Sequence, residues 1–461
     1  MSEHCGYVVQ IKELRKHENA DRLQIATIFG NSVVVDLKTQ VGDIGVFFPV
    51  DLQLSERFCE VNDLVRRKDE NGNPCGGFLE PGKRNIKAIK LRGEKSEGLF
   101  LPITCLADFC AISELKPGDK IDVVNGEEIC RKYIPRTSSR GSGARHLYGR
   151  KPRINFAPTF HEHIETEQLA YNLPKFRNGD IVQLTLKMHG TSGRTGYLPL
   201  VKFKKQHWWQ KLLKMEPHQY LEYGYVTGTR RVVLSETQSG GYYESDDFRR
   251  AMAKKFEGKL RKGEVVYYEI VGFQGPGGAP IMSMCDNKKI KDPEFIKKYG
   301  STTVFSYGCD PDGKYEGDEE NPPCCEVYVY RMTMVNDDGD EVDYSPAQIK
   351  ARCEQMCVNV VPEFSTFIIP YFYQLPDDVG SMQAVDAGEY VVRQVEDFFD
   401  GPDPVGKTHI REGVVARILN RPDFAVYKHK NFGFKVLEGI VKDEATAPDI
   451  EEAQDVCEED V

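Results

Sequence analysis

A lysine that ends an apolar run and is followed by small, polar residues has the makings of a nucleophile. The stretch Leu184-Thr185-Leu186-Lys187-Met188-His189-Gly190-Thr191-Ser192-Gly193 has this form. Its apolar residues suit a buried strand that delivers Lys187 to a turn at the mouth of a pocket. Desolvation and neighbouring cations favour the neutral amine, which can attack a phosphorus or carbonyl centre, and Gly190 lets a backbone approach a phosphate closely. On its own, a lysine before a glycine-containing turn is most often a solvated turn residue. Its company decides the matter. Lys428 and Lys430 stand two apart on a strand-like run, so both aim at one face. Glu269 sits in the apolar run around Tyr268 and Ile270, where a carboxylate is costly without a partner and therefore marks a site.

The company comes in a fixed order: Thr229-Arg230-Arg231, then Tyr267-Tyr268-Glu269-Ile270-Val271-Gly272, then Val327-Tyr328-Val329-Tyr330. Arg411-Glu412-Gly413-Val414-Val415 and Val426-Tyr427-Lys428-His429-Lys430-Asn431 complete it. Over roughly residues 155–440 this series resembles motifs I, Ia, III, IIIa, IV and V of the covalent nucleotidyltransferases, shared by ATP-dependent ligases and RNA capping enzymes. Motif I there is Lys-x-Asp/His-Gly, and its lysine is adenylated. The form with His189, Gly190 and Thr191, together with a Lys-x-Lys-Asn motif V, looks most like the ATP-dependent RNA ligases.

The resemblance implies a role for each matching residue. Lys187 would carry AMP, and Lys428 and Lys430 would contact the α-phosphate and complete the catalytic set. Leu186, His189 and Gly190 would border the nucleotide. Arg230, or Arg231 in its place, would grip ribose or an RNA phosphate, and Tyr328 or Tyr330 would stack on adenine. Glu412 would hold Mg2+ or Mn2+ directly or through water, with Glu269 contacting ribose or the same metal. Lys435 falls outside the motif V spacing. Arg331 is a departure, since the family often has an acid after the motif IIIa aromatic.

The implied activity joins an RNA 3′-hydroxyl to a 5′-phosphate through lysyl-AMP, with ATP as cofactor and an RNA or RNA/DNA duplex as further possible substrates. Two rivals are a GTP-using capping guanylyltransferase and a non-catalytic RNA-binding protein with a degenerate transferase domain. Capping enzymes and DNA ligases usually carry an OB domain after motif V. Here the OB-like region comes first, and the segment after Gly439 is short and acidic.

Several elements must position these residues. The expected fold is α+β: an OB-like β-barrel at 1–125, a basic linker at 126–155, a nucleotidyltransferase domain of packed antiparallel sheets with flanking helices at 156–440, and an acidic tail at 441–461. Short β-like runs at 8–11, 23–28, 32–37, 44–50, 86–91 and 98–103, punctuated by Gly, Asn and Asp, suit a small barrel. The stretches at 17–23 (HENADRL) and 91–99 (LRGEKSEGL) resemble the paired signatures of OB-type tRNA-binding domains, with Lys83, Arg84, Lys87, Lys90 and Arg92 as backbone charge. A helix is expected at 347–356 after Ser345-Pro346, and another near 384–399. Residues 161–172 read as a lead-in segment in which the resemblance makes Glu167 and Gln168 candidate base readers. Residues 202–214 (KFKKQHWWQKLLK) interleave cations with both tryptophans, a composition that suits single-stranded nucleic acid or a packed hairpin.

A chain of 461 residues supports two or three domains. With no apolar run of spanning length and no secretory start, a cytoplasmic monomer is expected. Thirteen cysteines argue for reduced thiols, and the group Cys309, Cys324, Cys325, Cys353 and Cys357 matches no standard zinc spacing. The net charge of −10 conceals eight Lys or Arg and no acid between Arg131 and Arg153. Finally, 401–408 (GPDPVGKT) satisfies the P-loop expression, but a helix-like segment precedes it, a strand-like one comes after it, and two prolines remove amides the phosphate cradle needs.

Overall fold

The structure of the chain, a computed structural model, describes residues 4–50, 52–68, 74–133, 156–164, 166–208, 212–213, 217–230, 232–234, 247–290, 292–318, 320–374 and 382–443. Most of the basic linker, the acidic tail beyond 443, Trp209 and Arg231 lie outside them. The chain divides into two units. The first comprises 1–135 with 167–176 and 432–440; the second comprises 136–166, 177–431 and 441–461. Two short segments expected in the transferase domain thus pack with the first unit instead.

In the first unit, β1 (Gly6–Gln10), β4 (Ile44–Phe48) and β5 (Leu99–Pro102) form an antiparallel sheet with Lys120–Ile121. The hairpin β2 (Leu23–Ile28) and β3 (Asn31–Asp36) pairs separately with Leu14–Lys16. Successive residues of β1 point to opposite faces. Val8 joins Val46, Phe48 and Phe58 in one core, while Tyr7 and Val9 join Phe47, Ala26 and Val33 in another. A sheet covered on both faces needs no closure with the hairpin, and the described pairings form no closed barrel. The expected OB barrel is therefore met in its strands but not in its closure.

The two signature stretches are bonded to each other. His17 Nε2 lies 3.0 Å from the Leu91 carbonyl, and Asn19 Nδ2 donates to the Arg92 carbonyl at 3.0 Å. Arg84 donates to the carbonyls of Leu54 and Pro81, so its guanidinium serves the loop. Tyr7 stacks on Tyr171 at 4.8 Å, Lys95 lies over the Phe432 ring, and Lys435 pairs with Glu97 at 2.8 Å. These contacts tie the late segments to this unit. Glu167 pairs with Lys175 at 2.6 Å.

The second unit is built on two larger sheets, antiparallel except where Asn359–Val360 pairs parallel to Tyr328–Val329. One orders β11 (Glu363–Ile368), β6 (Ile181–Lys187), β12 (Gly413–Ile418) and β13 (Val426–Lys430) as β11-β6-β12-β13. The other orders β7 (Thr191–Phe203), β8 (Gln219–Gly228), β9 (Glu264–Gly272) and β10 (Cys325–Val335) as β8-β7-β9-β10. Every residue of β9 is buried, which is why its sequence reads as one apolar run. Helix α1 (Asp247–Lys254) contacts the second sheet. Helix α2 (Pro346–Met356) starts at a Ser345 capping box and packs near β10, and α3 (Ala387–Glu396) is capped by Asp386. Among the described residues no helix is long and apolar enough to cross a membrane.

Candidate active site

Strand register assembles the cations. Lys187, Gly413 and Lys430 form one cross-strand row, and Thr185, Val415 and Lys428 form the next. Residues directly opposite in antiparallel strands project from the same face. Lys187 therefore shares a face with Lys428 and Lys430, although more than 240 residues separate it from either in sequence. Gly413 has φ +152°, and a Cβ there would come within 2.0 Å of the His429 carbonyl oxygen. Only glycine lets the chain swing from Glu412 into this row.

Glu412 is 1 % exposed. Its Oε1 lies 2.9 Å from Lys187 Nζ and 3.4 Å from Lys430 Nζ. The sequence reading gave Glu412 to a metal; in the fold its carboxylate lies between two of the lysines. Lys187 and Glu412 are thus an ion pair.

A cavity of about 870 Å3 opens between the two sheets. Lys187, Leu186 and Lys428 line it from the first sheet, and Glu269 and Tyr330 from the second. Leu186 is fixed by its amide, which donates to the Pro362 carbonyl at 2.8 Å. Glu269 stands across from Ser192 on one side and Tyr328 on the other, and Ser192 Oγ donates to Glu269 Oε2 at 3.4 Å. Tyr328 shares that row but is not among the lining residues. Burial raises its phenol pKa, with Cys309, Glu326 and Asp403 as electrostatic neighbours. A bulge in β10 opposite Tyr267 and Tyr268 brings the consecutive residues Tyr330 and Arg331 both to the cavity. Arg331 is bound by Asp343 at 2.7 and 3.1 Å.

Arg230 also lines the cavity. It is carried by a device that sequence reading missed. Arg194, 1 % exposed, donates to the carbonyls of Thr229 at 2.8 Å, Phe160 at 3.3 Å and His161. One buried guanidinium thus gathers two loops, and His163 N donates to the Arg230 carbonyl at 3.1 Å between them. The His163 ring lies 5.1 Å from Tyr330. The only sequence signal was a charged residue inside a strand of small and apolar neighbours.

The turn after Lys187 is pinned from below. Gly190 is needed because a Cβ would meet the Ile270 carbonyl at 2.4 Å and Glu269 Cγ at 2.9 Å. The close approach it permits is to β9. His189 does not line the cavity; its ring packs edge-on against Phe305 at 4.8 Å. Its amide donates to Tyr307 Oη at 2.7 Å. Burial holds the Tyr307 phenol well above its ordinary pKa, reinforced by Asp403, with Glu412 and Glu269 also nearby.

Asp403 and His409, each 0 % exposed, lie in the segment that matches the P-loop expression and just beyond it. Asp403 Oδ1 accepts the amides of Val405 at 2.8 Å and Gly406 at 3.2 Å. The amides that would cradle a phosphate are occupied by the loop's own carboxylate, and no helix starts after Lys407.

The donor set fits one class of metal. Glu412 and Glu269 are both buried carboxylates near Tyr307, and no group of three or more His, Cys, Asp or Glu among the described residues could form a cage. Mg2+ and Mn2+ suit such a site, because hard divalent ions bind through one or two carboxylates, substrate phosphates and retained waters. In the cysteine group, burial pushes the Cys309 and Cys353 thiols up to about 12.

No protein-family model matches the chain, and no curated relative matches it. Solved structures do. An RNA ligase from Naegleria gruberi, as a mutant with AMP and Mn, aligns with TM-score 0.54 at 16 % identity over 94 % of this chain and 98 % of that one. The same ligase with PPi gives 0.54 at 16 % over 93 % and 96 %, and a mutant with ATP and Mn gives 0.53 at 17 % over 94 % and 98 %. The chain has the fold of these ligases along nearly its whole length.

Proposed function

We propose that the chain is an ATP-dependent RNA ligase acting through a lysyl-adenylate on Lys187. One observation carries the reading: in a fold similar to that of a ligase solved with ATP, AMP and Mn, Lys187 faces a cavity beside Lys428, Lys430, Glu412 and Glu269. Lys187 Nζ sheds the proton it shares with Glu412 and attacks the α-phosphorus of ATP. The N–P bond forms as the bond to pyrophosphate breaks. An oxygen of an RNA 5′-phosphate then takes the adenylate and returns the lysine amine, and a 3′-hydroxyl displaces AMP to form the phosphodiester.

Lys428 and Lys430 stabilise the charge that builds on the phosphate oxygens, fixed in place before reaction. Tyr330 supplies a flat ring for the adenine, and Arg230 a cation for ribose or RNA phosphate. A Mg2+ or Mn2+ held by Glu412 and Glu269 would neutralise the same charge and polarise the α-phosphate. Glu412, paired with the amine in this structure, would be one of the two carboxylates that hold such an ion. The first unit is read as an OB-type RNA-binding module on its two signature stretches, and the substrate as RNA with 5′-phosphate and 3′-hydroxyl ends.

Incubation with ATP labelled at the α-phosphate, with Mg2+ or Mn2+, tests the proposal. Label is expected on Lys187, and Lys187→Ala should reduce it by at least about a thousandfold, while Lys407→Ala labels like the parent. Transfer from GTP instead would overturn the reading in favour of a capping activity. Absence of label from either nucleotide would favour a binding protein.

A further inference from the structure

We infer that the hairpin arm formed by the far ends of β7 and β8 is a second RNA-binding surface, distinct from the residues lining the cavity; the inference rests on the RNA-joining reading above. Strand β9 pairs with β7 only over Thr191 to Gly196, whereas β8 pairs with it from Arg194 to Phe203. Leu198 is still fully buried. From Lys202 onward both strands are exposed and pair with each other, and the Lys204 amide continues the ladder by donating to the His218 carbonyl at 3.0 Å.

Alternation sorts the arm into two faces. Lys202 stands across from Tyr220, and Val201 across from Leu221, so one face carries Lys202, Lys204 and Tyr220 and the other Phe203 and Leu221. Trp208, beyond the paired end, is 77 % exposed. Lys202 is paired with Glu222 at 2.9 Å. Lys204 and Lys205 make no ion pair among the described residues.

Exposed rings beside uncommitted ammonium groups, on a chain whose net charge is −10, match single-stranded RNA: bases stack on any flat ring, and lysines displace counterions from the backbone. A protein partner would draw on the Phe203 and Leu221 face and leave the lysines without a role. The twelve steps from Thr191 to Phe203, at about 3.3 Å each, span roughly 40 Å of strand. A strand joined at Lys187 reaches the arm only if it is long.

The test titrates a fluorescent single-stranded RNA into the full chain at several salt concentrations. Trp208→Ala is expected to weaken binding about tenfold, with recovery in Trp208→Phe. Lys204→Gln with Lys205→Gln should lower the slope of log affinity against log salt by about 1.4, for two phosphate contacts on a single strand. Joining of long RNA should fall in step, joining of short ends should not, and label transfer from ATP to Lys187 should match the parent.

Unchanged affinity and slope in both sets of variants would overturn the inference. So would loss of self-association by sedimentation with RNA affinity intact, which would assign the arm to a second copy. If no variant and no parent takes label, the adenylation reading fails, and the RNA titration still decides the arm.

Discussion

Strand β9 carries two buried glutamates, one at its start and one toward its end, and the fold treats them differently. Glu264, 0 % exposed, is surrounded by donors. Arg352 binds it in a fork at 2.8 and 2.7 Å, Tyr344 Oη donates at 3.0 Å, and the Arg261 amide donates at 2.8 Å. Both oxygens are taken up by groups that cannot move without unfolding the region. Glu269, five residues on, receives the Ser192 hydroxyl at 3.4 Å and faces the cavity. Its counterpart Glu412 is held by lysines from two other strands. A planar arginine fork fixes a carboxylate for structure, while flexible lysine ammonium groups hold one that can change partners. A buried acid is thus informative only with its donors: the same residue type on the same strand is a clamp at one position and lines the cavity at the other.

The contrast can be broken by experiment. The largest effect should come from Arg352→Ala, which leaves Glu264 buried without its cation and should cost about 3–5 kcal/mol in urea unfolding. A loss below about 1 kcal/mol would remove the structural half of the comparison. Glu269→Gln should do the reverse. Label transfer from ATP should fall about a hundredfold with a smaller loss of unfolding free energy than Arg352→Ala, because no arginine fork is removed; a variant that unfolds early yet labels normally would invert the assignment.

Smaller changes sharpen the picture. Tyr307→Phe removes one bond to the His189 amide, worth about 1 kcal/mol, and should slow label transfer by up to about tenfold while ATP binding, read by isothermal titration, stays unchanged. The pH dependence of stability is the finest probe. Burial would raise the Glu264 pKa, but the bonds from Arg352, the Arg261 amide and Tyr344 leave it below its ordinary value. Its contribution is therefore complete above the unfolded glutamate value of about 4.3 and is lost as pH falls through the depressed folded value. In acid melts the parent should lose stability more steeply than Glu264→Gln below that point.

Much of this was legible in the chain. The strands of the first unit lie within a few residues of the expected runs, as do α2 and α3, because glycine, proline and capping residues act locally. The lysine pair of β13 was readable from its spacing of two, and Glu269 from its apolar neighbours. Other features were not. Arg194 and Arg352 looked like ordinary charges, since the carbonyls and the carboxylate they bind lie 33 to 93 residues away in sequence. Tyr328 and Tyr330 could not be separated by alternation, since they stand two apart in sequence; the bulge between them and the cavity's placement distinguish them.

By itself the sequence determined which groups could react and in what order they occur, since residue type and short-range spacing set periodicity, turns and intrinsic chemistry. Only the tertiary structure decided that Glu412 lies between Lys187 and Lys430, that segments 167–176 and 432–440 belong to the first unit, and that the P-loop-like turn folds onto its own Asp403. Those outcomes depend on strand register and on which surfaces bury together. Register couples residues hundreds of positions apart through hydrogen bonds that no local pattern encodes.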